Sequence, residues 1–258
     1  MGLAGSRLEW VGAMSQARGV AVVPCYNEER RFVGASFALL VKAGARVLFV
    51  DDGSRDGTLG ALQRFQAECA AGEVEILSLP RNGGKAEAVR QGMAHALTRG
   101  AAWVGYLDAD GATPAAEFLR LVHELETRPV KVVLGSRVNL LGTRIERTAL
   151  RHYLGRIFAT VASMSLRLSV YDTQCGAKVF RSTEAIQRAV ERKFSSRWVF
   201  DVELIGRLLN GGLNARDFVE VPLQEWRDIA GSKLGLRAML RAGYDLLKLL
   251  LRRREGFD

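Results

Sequence analysis

The sequence predicts an α/β fold in which a doubly wound, mostly parallel sheet carries helices on both faces. Three observations support this prediction. From residue 19 onward, short apolar runs rich in branched residues alternate with segments of helical periodicity. Polar clusters such as Asp51-Asp52-Gly53-Ser54 follow the ends of these runs, where such a sheet binds its ligands. The chain of 258 residues is long enough to bury one large core.

Each predicted element rests on a local pattern. Buried strands are predicted where apolar runs end at turn residues, over 20–24, 47–50, 74–79, 103–107 and 130–134. Helices are predicted over 32–43 and 86–98, each of which stops at a glycine, and over 200–209. Two more helices are predicted to begin at Asp56-Gly57-Thr58 and at Pro114, since proline is favoured in a first helical turn.

The chain divides into three predicted parts: a flexible lead-in over 1–18, the main domain over 19–233 and a basic amphipathic helix over 234–258. In the last part, one side of the helix carries Arg237, Arg241, Asp245, Lys248 and Arg252. The opposite side is apolar: Leu236, Met239, Leu240, Leu246, Leu247, Leu250 and Leu251. This pattern favours a helix that lies in a membrane interface. The alternative is a helix that docks on the protein's own sheet or on a second subunit.

Composition restricts the classes of partner. A net charge of +9 favours anionic partners: nucleic acid, lipid head groups or phosphorylated substrates. A nucleic-acid-binding module is the remote alternative, because no recognised nucleic-acid-binding pattern occurs and we predict no nucleic-acid partner. The three cysteines are widely spaced, which predicts no zinc site and indicates a reducing compartment. No run reaches the roughly 18 apolar residues of a membrane-spanning helix.

The stretch Asp108-Ala109-Asp110-Gly111 follows the central predicted strand. Its two carboxylates stand at spacing i, i+2, so an extended chain points both the same way. Such a pair predicts a site for Mg²⁺ or Mn²⁺, which commonly binds one or two carboxylates together with substrate phosphates. An acidic turn without a metal is the alternative. The GxGxxG fingerprint is absent after the first strand, and Gly83-Gly84-Lys85 is not a Walker loop, which leaves a carboxylate-based nucleotide site.

The motifs at the predicted strand ends resemble those of family 2 glycosyltransferases with the GT-A fold. The resemblance rests on Pro24-Cys25-Tyr26-Asn27-Glu28-Glu29, Val50-Asp51-Asp52-Gly53-Ser54, Asn82-Gly83-Gly84-Lys85 and Asp108-Ala109-Asp110-Gly111. Later motifs narrow it to the enzymes that glycosylate polyprenyl phosphates, such as the dolichyl-phosphate β-glucosyltransferases. These are Gly135-Ser136-Arg137, Asp172-Thr173-Gln174-Cys175-Gly176, Arg197-Trp198-Val199-Phe200-Asp201-Val202-Glu203 and Gly231-Ser232-Lys233.

The resemblance implies an inverting transfer of glucose from UDP-glucose to a dolichyl-type polyprenyl phosphate, with Mg²⁺ or Mn²⁺ as cofactor. The alternatives are another nucleotide sugar, such as GDP-mannose, or a hydroxyl acceptor. The resemblance implies nucleotide-sugar binding by Pro24, Tyr26, Glu28, Asp52, Lys85, Asp108 and Lys233, and metal binding by Asp108 and Asp110. It implies catalytic roles for Asp110, Arg137 and Asp201, with Asp201 as the base if the acceptor is a hydroxyl, and acceptor binding by Arg147, Arg151, Asp172 and Gln174.

Further expectations concern the acceptor side and the location of the protein. On one helix, Arg144, Arg147 and Arg151 would form a basic stripe, either for the acceptor phosphate or as a solvated face. Mannosyl relatives carry a glutamine where this chain has Ala112, so no third protein ligand for the metal is predicted. The expected location is cytoplasmic, peripheral on the cytosolic face of a membrane. The sequence makes no prediction of oligomeric state.

Overall fold

The computed structural model describes residues 19–146, 149–197 and 199–228, with side chains from residue 155 onward in the helix that begins at Ala149. Its strands are β1 (Val20–Cys25), β2 (Arg46–Asp51), β3 (Val74–Ser78), β4 (Trp103–Leu107), β5 (Val132–Ser136), β6 (Arg144–Glu146), β7 (Ala177–Arg181), β8 (Phe218–Pro222) and β9 (Glu225–Arg227). Its helices are α1 (Ala35–Lys42), α2 (Thr58–Ala67), α3 (Lys85–Thr98), α4 (Ala115–Thr127), α5 (Ala149–Leu166), α6 (Glu184–Glu191) and α7 (Phe200–Asn210).

Seven of these strands form one sheet in the order β3-β2-β1-β4-β7-β5-β8, and β6 pairs with β9 in a small second sheet. The pairs β1–β2, β1–β4, β2–β3 and β5–β8 are parallel. Strand β7 is antiparallel to both of its neighbours, β4 and β5. The predicted doubly wound, mostly parallel sheet is therefore confirmed.

The antiparallel direction of β7 determines on which side of the sheet the turn before it lies. Leu107, the last residue of β4, pairs with Ala177, the first residue of β7. The turn that precedes β7, residues 172–176, therefore meets the carboxyl ends of the parallel strands. We call this side of the sheet the carboxyl edge.

Helices cover both faces, as predicted, because successive strand residues point to opposite sides. Val22, Val50 and Tyr106 pack on one side with α3, α5, α6 and α7. Val23 and Phe49 pack on the other side with α1, α2 and α4. Strands buried on both faces explain the continuous apolar runs of the sequence.

Strand ends shift by up to two residues, as for β5, which was predicted over 130–134 and spans Val132–Ser136. Two further predictions differ more. The first helix begins at Ala35 rather than at residue 32, because the N–H groups of Arg31 and Phe32 both donate to the carbonyl of Glu28 in a turn. The prediction of one helical basic stripe is wrong for Arg144, which lies in β6, whereas α5 begins at Ala149.

Several predictions fall on residues that the structure does not describe. They are the lead-in over 1–18, the helix over 234–258, Lys233, Arg147 and the side chain of Arg151. Within the described ranges, no helix is both long and apolar enough to cross a bilayer.

The close packing of α3 on the sheet depends on Gly92. A Cβ atom at this position would lie 2.4 Å from Cγ1 of Val22 and 2.8 Å from Cγ2 of Val50. By contrast, a Cβ atom at Gly60 in α2 would meet nothing closer than Nη1 of Arg64, at 3.5 Å. The same substitution is therefore expected to have opposite effects in the two helices.

We predict that Gly92→Ala lowers the free energy of unfolding. An overpacked core costs about 1–3 kcal/mol, which exceeds the gain of about 1 kcal/mol in helix propensity. Gly60→Ala, the matched control, should raise stability by up to about 1 kcal/mol. Urea denaturation of both variants measures the two effects. A Gly92→Ala protein as stable as Gly60→Ala would contradict the close packing of α3.

Candidate active site

The loops after β1 and β2 hold each other at the carboxyl edge. The N–H of Asn27 donates to Oγ of Ser54 at 3.1 Å, and Oδ1 of Asn27 accepts from the N–H of Arg55 at 2.9 Å. The N–H of Glu28 donates to Oγ1 of Thr58 at 2.8 Å. These bonds fix the backbone beside Tyr26 and Glu28, two of the predicted nucleotide-sugar residues.

Asp52 ties this pair of loops to the loop after β3. It is 2% exposed, and its two oxygens accept from the N–H groups of Gly83 at 2.7 Å and Gly84 at 2.8 Å. Burial raises the pKa of the Asp52 carboxyl, while the two N–H groups and the charge of Arg197 act in the opposite direction. Asp52 thereby positions the Gly83–Gly84 turn that leads into Lys85.

Arg197 is a site residue that the sequence analysis did not assign. A Cβ atom at Gly84 would lie 3.3 Å from Cδ of Arg197, so this side chain passes over the loop after β3.

Glu203, on α7, accepts from the N–H of Ser195 at 2.9 Å, and its partner Arg207 donates to the carbonyl of Arg192 at 2.7 Å. Glu203 and Arg207 therefore hold the segment that carries Arg197. In the sequence, the only indication of this role was the presence of an arginine in the Arg197-Trp198 motif.

Asp108 and Asp110 follow β4 at the centre of the carboxyl edge. Nζ of Lys85 lies 2.5 Å from Oδ1 of Asp108, and Oδ1 of Asp110 accepts from the N–H of Ala112 at 3.0 Å. Burial and then the charge of Asp108 raise the pKa of Asp110. Burial alone would lower the pKa of Lys85, but the carboxylates around it, Asp108 first, raise it instead. The carboxylates at this part of the carboxyl edge therefore stabilise a positively charged group beside them.

These two carboxylates form a suitable partial site for a divalent cation. Among the described residues, no cluster of three or more His, Cys, Asp or Glu side chains is arranged to hold a metal. Mg²⁺ in proteins commonly takes one or two carboxylates and completes its shell with water and substrate phosphates. Burial and then the charge of Asp108 raise the pKa of Asp110, and a bound cation would offset both effects.

The 172–176 turn is fixed by an ion pair that is largely shielded from solvent. Arg137 holds Asp172 with two parallel bonds, Nε to Oδ2 at 2.7 Å and Nη2 to Oδ1 at 2.8 Å. Burial lowers the pKa of Arg137, but Asp172 outweighs that effect and raises it. The N–H of Gln174 donates to Oδ1 of Asp172 at 3.1 Å, and Glu220 accepts from the N–H of Asp172 at 2.6 Å. Two residues predicted for different roles, Arg137 and Asp172, are thus partners.

The same turn contacts the central carboxylate. The N–H of Asp108 donates to the carbonyl of Gly176 at 3.1 Å. A Cβ atom at Gly176 would lie 2.1 Å from Oδ2 of Asp108, so only glycine leaves room for this carboxylate. The position of Asp108 therefore depends on the turn before β7.

Asp201 lies beneath the edge rather than on its surface. It is 4% exposed, and its Oδ1 accepts from Nζ of Lys178 at 2.7 Å and from the hydroxyl of Tyr106. Burial and then the charge of Asp201 raise the pKa of Tyr106 well above its usual value. Both donors contact the same oxygen, so a role as general base would fall to Oδ2 of a side chain that is almost wholly buried.

The structure thus brings most of the described site residues to one edge. Tyr26, Glu28, Asp52, Lys85, Asp108 and Asp110 follow β1, β2, β3 and β4, and Pro24 lies near the end of β1. Arg137 follows β5, whereas Asp172 and Gln174 belong to the turn before β7. Asp201 differs from them, because it contacts Tyr106 and Lys178, which lie inside β4 and β7.

We predict that Gly176→Ala displaces the Asp108 carboxylate and weakens cation binding. Disturbing the groups that orient a metal ligand typically lowers metal affinity by about 10–100-fold, while the fold should remain. Titration with Mn²⁺ and urea denaturation measure the two effects. Gly142→Ala is the control, because open space surrounds Gly142 and its φ of +87° makes alanine costly only to stability. Unchanged Mn²⁺ affinity in Gly176→Ala would show that Asp108 is held in another way.

Comparison with solved structures supports the fold. Glucosyl-3-phosphoglycerate synthase from Mycobacterium tuberculosis, solved with Mn²⁺, UDP and glucosyl-3-phosphoglycerate, aligns with a TM-score of 0.69 at 20% identity, over 94% of this chain and 82% of that chain. The mannosyltransferase PcManGT from Pyrobaculum calidifontis, solved with GDP-Man and Mn²⁺, aligns with a TM-score of 0.57 at 17% identity, over 92% and 64%. At these identities the likeness concerns the fold alone, which is GT-A.

Comparison with characterised sequences shows the family. The dolichyl-phosphate beta-glucosyltransferase of Homo sapiens is 32% identical over 256 residues, which cover 91% of this chain and 75% of the relative. The corresponding ALG5C protein of Trichomonas vaginalis is 31% identical over 250 residues, 91% of this chain and 71% of the relative. The model of the family "Glycosyl transferase family 2" matches residues 20–185, which span β1 to β7 and the Asp108–Asp110 pair. The chain therefore belongs to glycosyl transferase family 2.

Proposed function

We propose that the protein transfers glucose from UDP-glucose, with inversion, to the phosphate of a dolichyl-type polyprenyl phosphate. The relatives named dolichyl-phosphate beta-glucosyltransferase support this acceptor and this sugar. The observation that carries the proposal is the contact between Asp108 and the 172–176 turn, with the N–H of Asp108 on the Gly176 carbonyl at 3.1 Å. It joins a carboxylate pair suited to a sugar-nucleotide diphosphate with a turn anchored by Arg137.

The donor half of the site is formed by the loops after β1, β2 and β3. In the proposal, Pro24, Tyr26 and Glu28 line the nucleoside, and Asp52 holds the loop that presents Lys85. Asp108 and Asp110 would hold Mg²⁺ or Mn²⁺. When bound, this ion would stabilise the charge of the departing nucleotide diphosphate. Lys85 and Arg197 add positive charge on the same side, and Lys233 would close over the diphosphate.

The acceptor half needs positioning rather than a base. A phosphate monoester has its second pKa near 6, so at pH 7 it is mostly a dianion. Its oxygen attacks the anomeric carbon opposite the leaving group. The bond between the anomeric carbon and the diphosphate breaks, and the electron pair of that bond leaves with UDP. Because attack and departure occur on opposite sides, the configuration of the carbon is inverted. Arg137, Arg147 and Arg151 would screen the converging negative charges, with Asp172 and Gln174 shaping the turn beside them.

A hydroxyl acceptor would place a different demand on the site. It would require a general base, and Asp201 would be the candidate. In the structure this carboxylate is already bonded to Lys178 and Tyr106. One oxygen of Asp201 is engaged and the residue is only 4% exposed, which favours the phosphate acceptor, since that acceptor needs no base.

We predict that the purified protein converts UDP-glucose and a polyprenyl phosphate to a glucosylated lipid. Asp110→Asn should lower turnover by about a hundredfold or more, because it removes a negative charge that would hold the cation facing the leaving group, and EDTA should abolish wild-type turnover. Asp217→Asn is the control and should keep turnover, because Asp217 pairs with Lys131 in the short turn before β8, away from the carboxyl edge. Arms with GDP-mannose and with a free polyprenol test the alternatives. Preferential use of either, or full activity in excess EDTA, would contradict the corresponding part of the proposal.

We predict that replacing both Arg147 and Arg151 with alanine weakens acceptor use and spares UDP binding. Each charge-assisted contact is worth about 1.5–3 kcal/mol, so each loss should raise the acceptor KM by roughly tenfold or more. Arg188→Ala is the control, since Arg188 pairs with Glu184 on the exposed face of α6. Equal losses of donor and acceptor binding would assign the two arginines to the donor side or to the fold.

We also propose that residues 234–258 bind the cytosolic face of a membrane. Each Lys or Arg near an anionic surface contributes about 1 kcal/mol, and salt screens this attraction. The intact protein should therefore sediment with anionic liposomes at low salt and less so at high salt. A truncation after Lys233 should bind UDP yet lose sedimentation and activity on long-chain acceptors. If the truncated protein unfolds, the segment belongs to the core and the proposal is overturned.

A further inference from the structure

A lysine side chain, Lys178, lies wholly inside the protein below the carboxyl edge. It is 0% exposed, and its Nζ donates to Oδ1 of Asp201 at 2.7 Å and to the carbonyl of Cys175 at 2.5 Å. The same Nζ lies 5.3 Å from the centre of the Tyr106 ring. A buried ammonium needs such partners, because burying a charge without them is costly. The pair with Asp201 explains the charge balance but not the bond to Cys175.

The bond to Cys175 reaches the proposed metal site through the backbone. Cys175 precedes Gly176, whose carbonyl accepts from the N–H of Asp108 at 3.1 Å. The Asp108 carboxylate also packs against Gly176, where a Cβ atom would lie 2.1 Å from Oδ2. A shift of the Cys175 carbonyl would move Gly176 with it. Both the backbone and the carboxylate of Asp108 would therefore be displaced.

The other end of the turn is held independently. Asp172 is fixed by Arg137 and Glu220, so one end of the turn stays in place when the other is altered. Lys178 is the charged side chain that holds the end next to Asp108. Its anchor, Asp201, comes from α7, which begins at Phe200 and is separate in sequence from both the turn and β4.

We propose that Lys178 is a positioning residue that sets the Asp108 carboxylate for cation binding through Cys175 and Gly176. This inference rests on the proposed metal site at Asp108 and Asp110. Residues that orient metal ligands from behind typically change metal affinity by about 10–100-fold when replaced. Lys178 acts on the metal ligand and does not touch the substrate.

The test is a titration of the full-length, donor-free protein with Mn²⁺, with free Mn²⁺ followed by electron paramagnetic resonance. Lys178→Met keeps the length of the side chain and removes both donated bonds. It also leaves Asp201 as a buried carboxylate without its cation, which endangers the fold. The double variant Lys178→Met/Asp201→Asn removes that charge, and near-ultraviolet circular dichroism checks that each variant is folded.

Arg181→Met is the matched control. Arg181 lies on the same strand, three positions further, and donates to the carbonyl of Val130 at 3.2 Å, away from the 172–176 turn. Its replacement should leave Mn²⁺ affinity unchanged. Binding of UDP without metal should be unchanged in every variant, because the nucleoside loops follow β1, β2 and β3.

We expect both the single and the double Lys178 variant to bind Mn²⁺ about 10–100-fold more weakly than the wild type. Recovery of affinity in the double variant would mean that Lys178 only neutralises Asp201, which overturns the inference. Wild-type affinity in Lys178→Met would overturn it as well. If the wild-type protein itself binds no Mn²⁺, the metal site of the proposed function fails first, and the two failures remain distinct.

Discussion

The hydrogen bond from the N–H of Asp108 to the carbonyl of Gly176 joins two halves of the site that come from different parts of the chain. Asp108 ends the parallel half of the sheet, which also supplies Asp52 and Lys85. Gly176 ends the turn that enters β7. This contact exists because β7 is antiparallel, so its first residue, Ala177, pairs with the last residue of β4. A parallel β7 would carry the turn to the opposite side of the sheet.

Carboxylates are concentrated at and just below the carboxyl edge, and three of them form an ion pair with a lysine or an arginine. Lys85 lies against Asp108, Arg137 against Asp172 and Lys178 against Asp201. The pairs differ in burial and hence in what they can do. The buried pairs hold the turn and the helix in place, because separating them would leave a charge without water or partner. The partly exposed Lys85–Asp108 pair is accessible to a ligand.

How far the sequence predicts this molecule depends on how local each signal is. The strands from β1 to β5 were predicted because strands covered on both faces are continuous apolar runs, although ends shifted, as for β5, which begins at Val132. The parallel strand β8 was missed. Strand β7 was missed, since Lys178 and Arg181 interrupt its apolar pattern. The Asp201–Lys178 pair joins residues on separate elements, and no spacing rule relates them. Arg144 was assigned to a helix because helical spacing alone does not reveal that a strand, β6, comes first.

The order of strands also constrains how the chain can fold. Strand β7 lies between β4 and β5, yet it follows both in sequence. During synthesis β4 and β5 leave the ribosome with no partner for the edges that face each other. If they paired at once, β7 would be excluded and Asp108 would never meet Gly176. The native order of this sheet can therefore be completed only after β7 has been synthesised, and the long connection between β5 and β7, which contains α5, separates the two events along the chain.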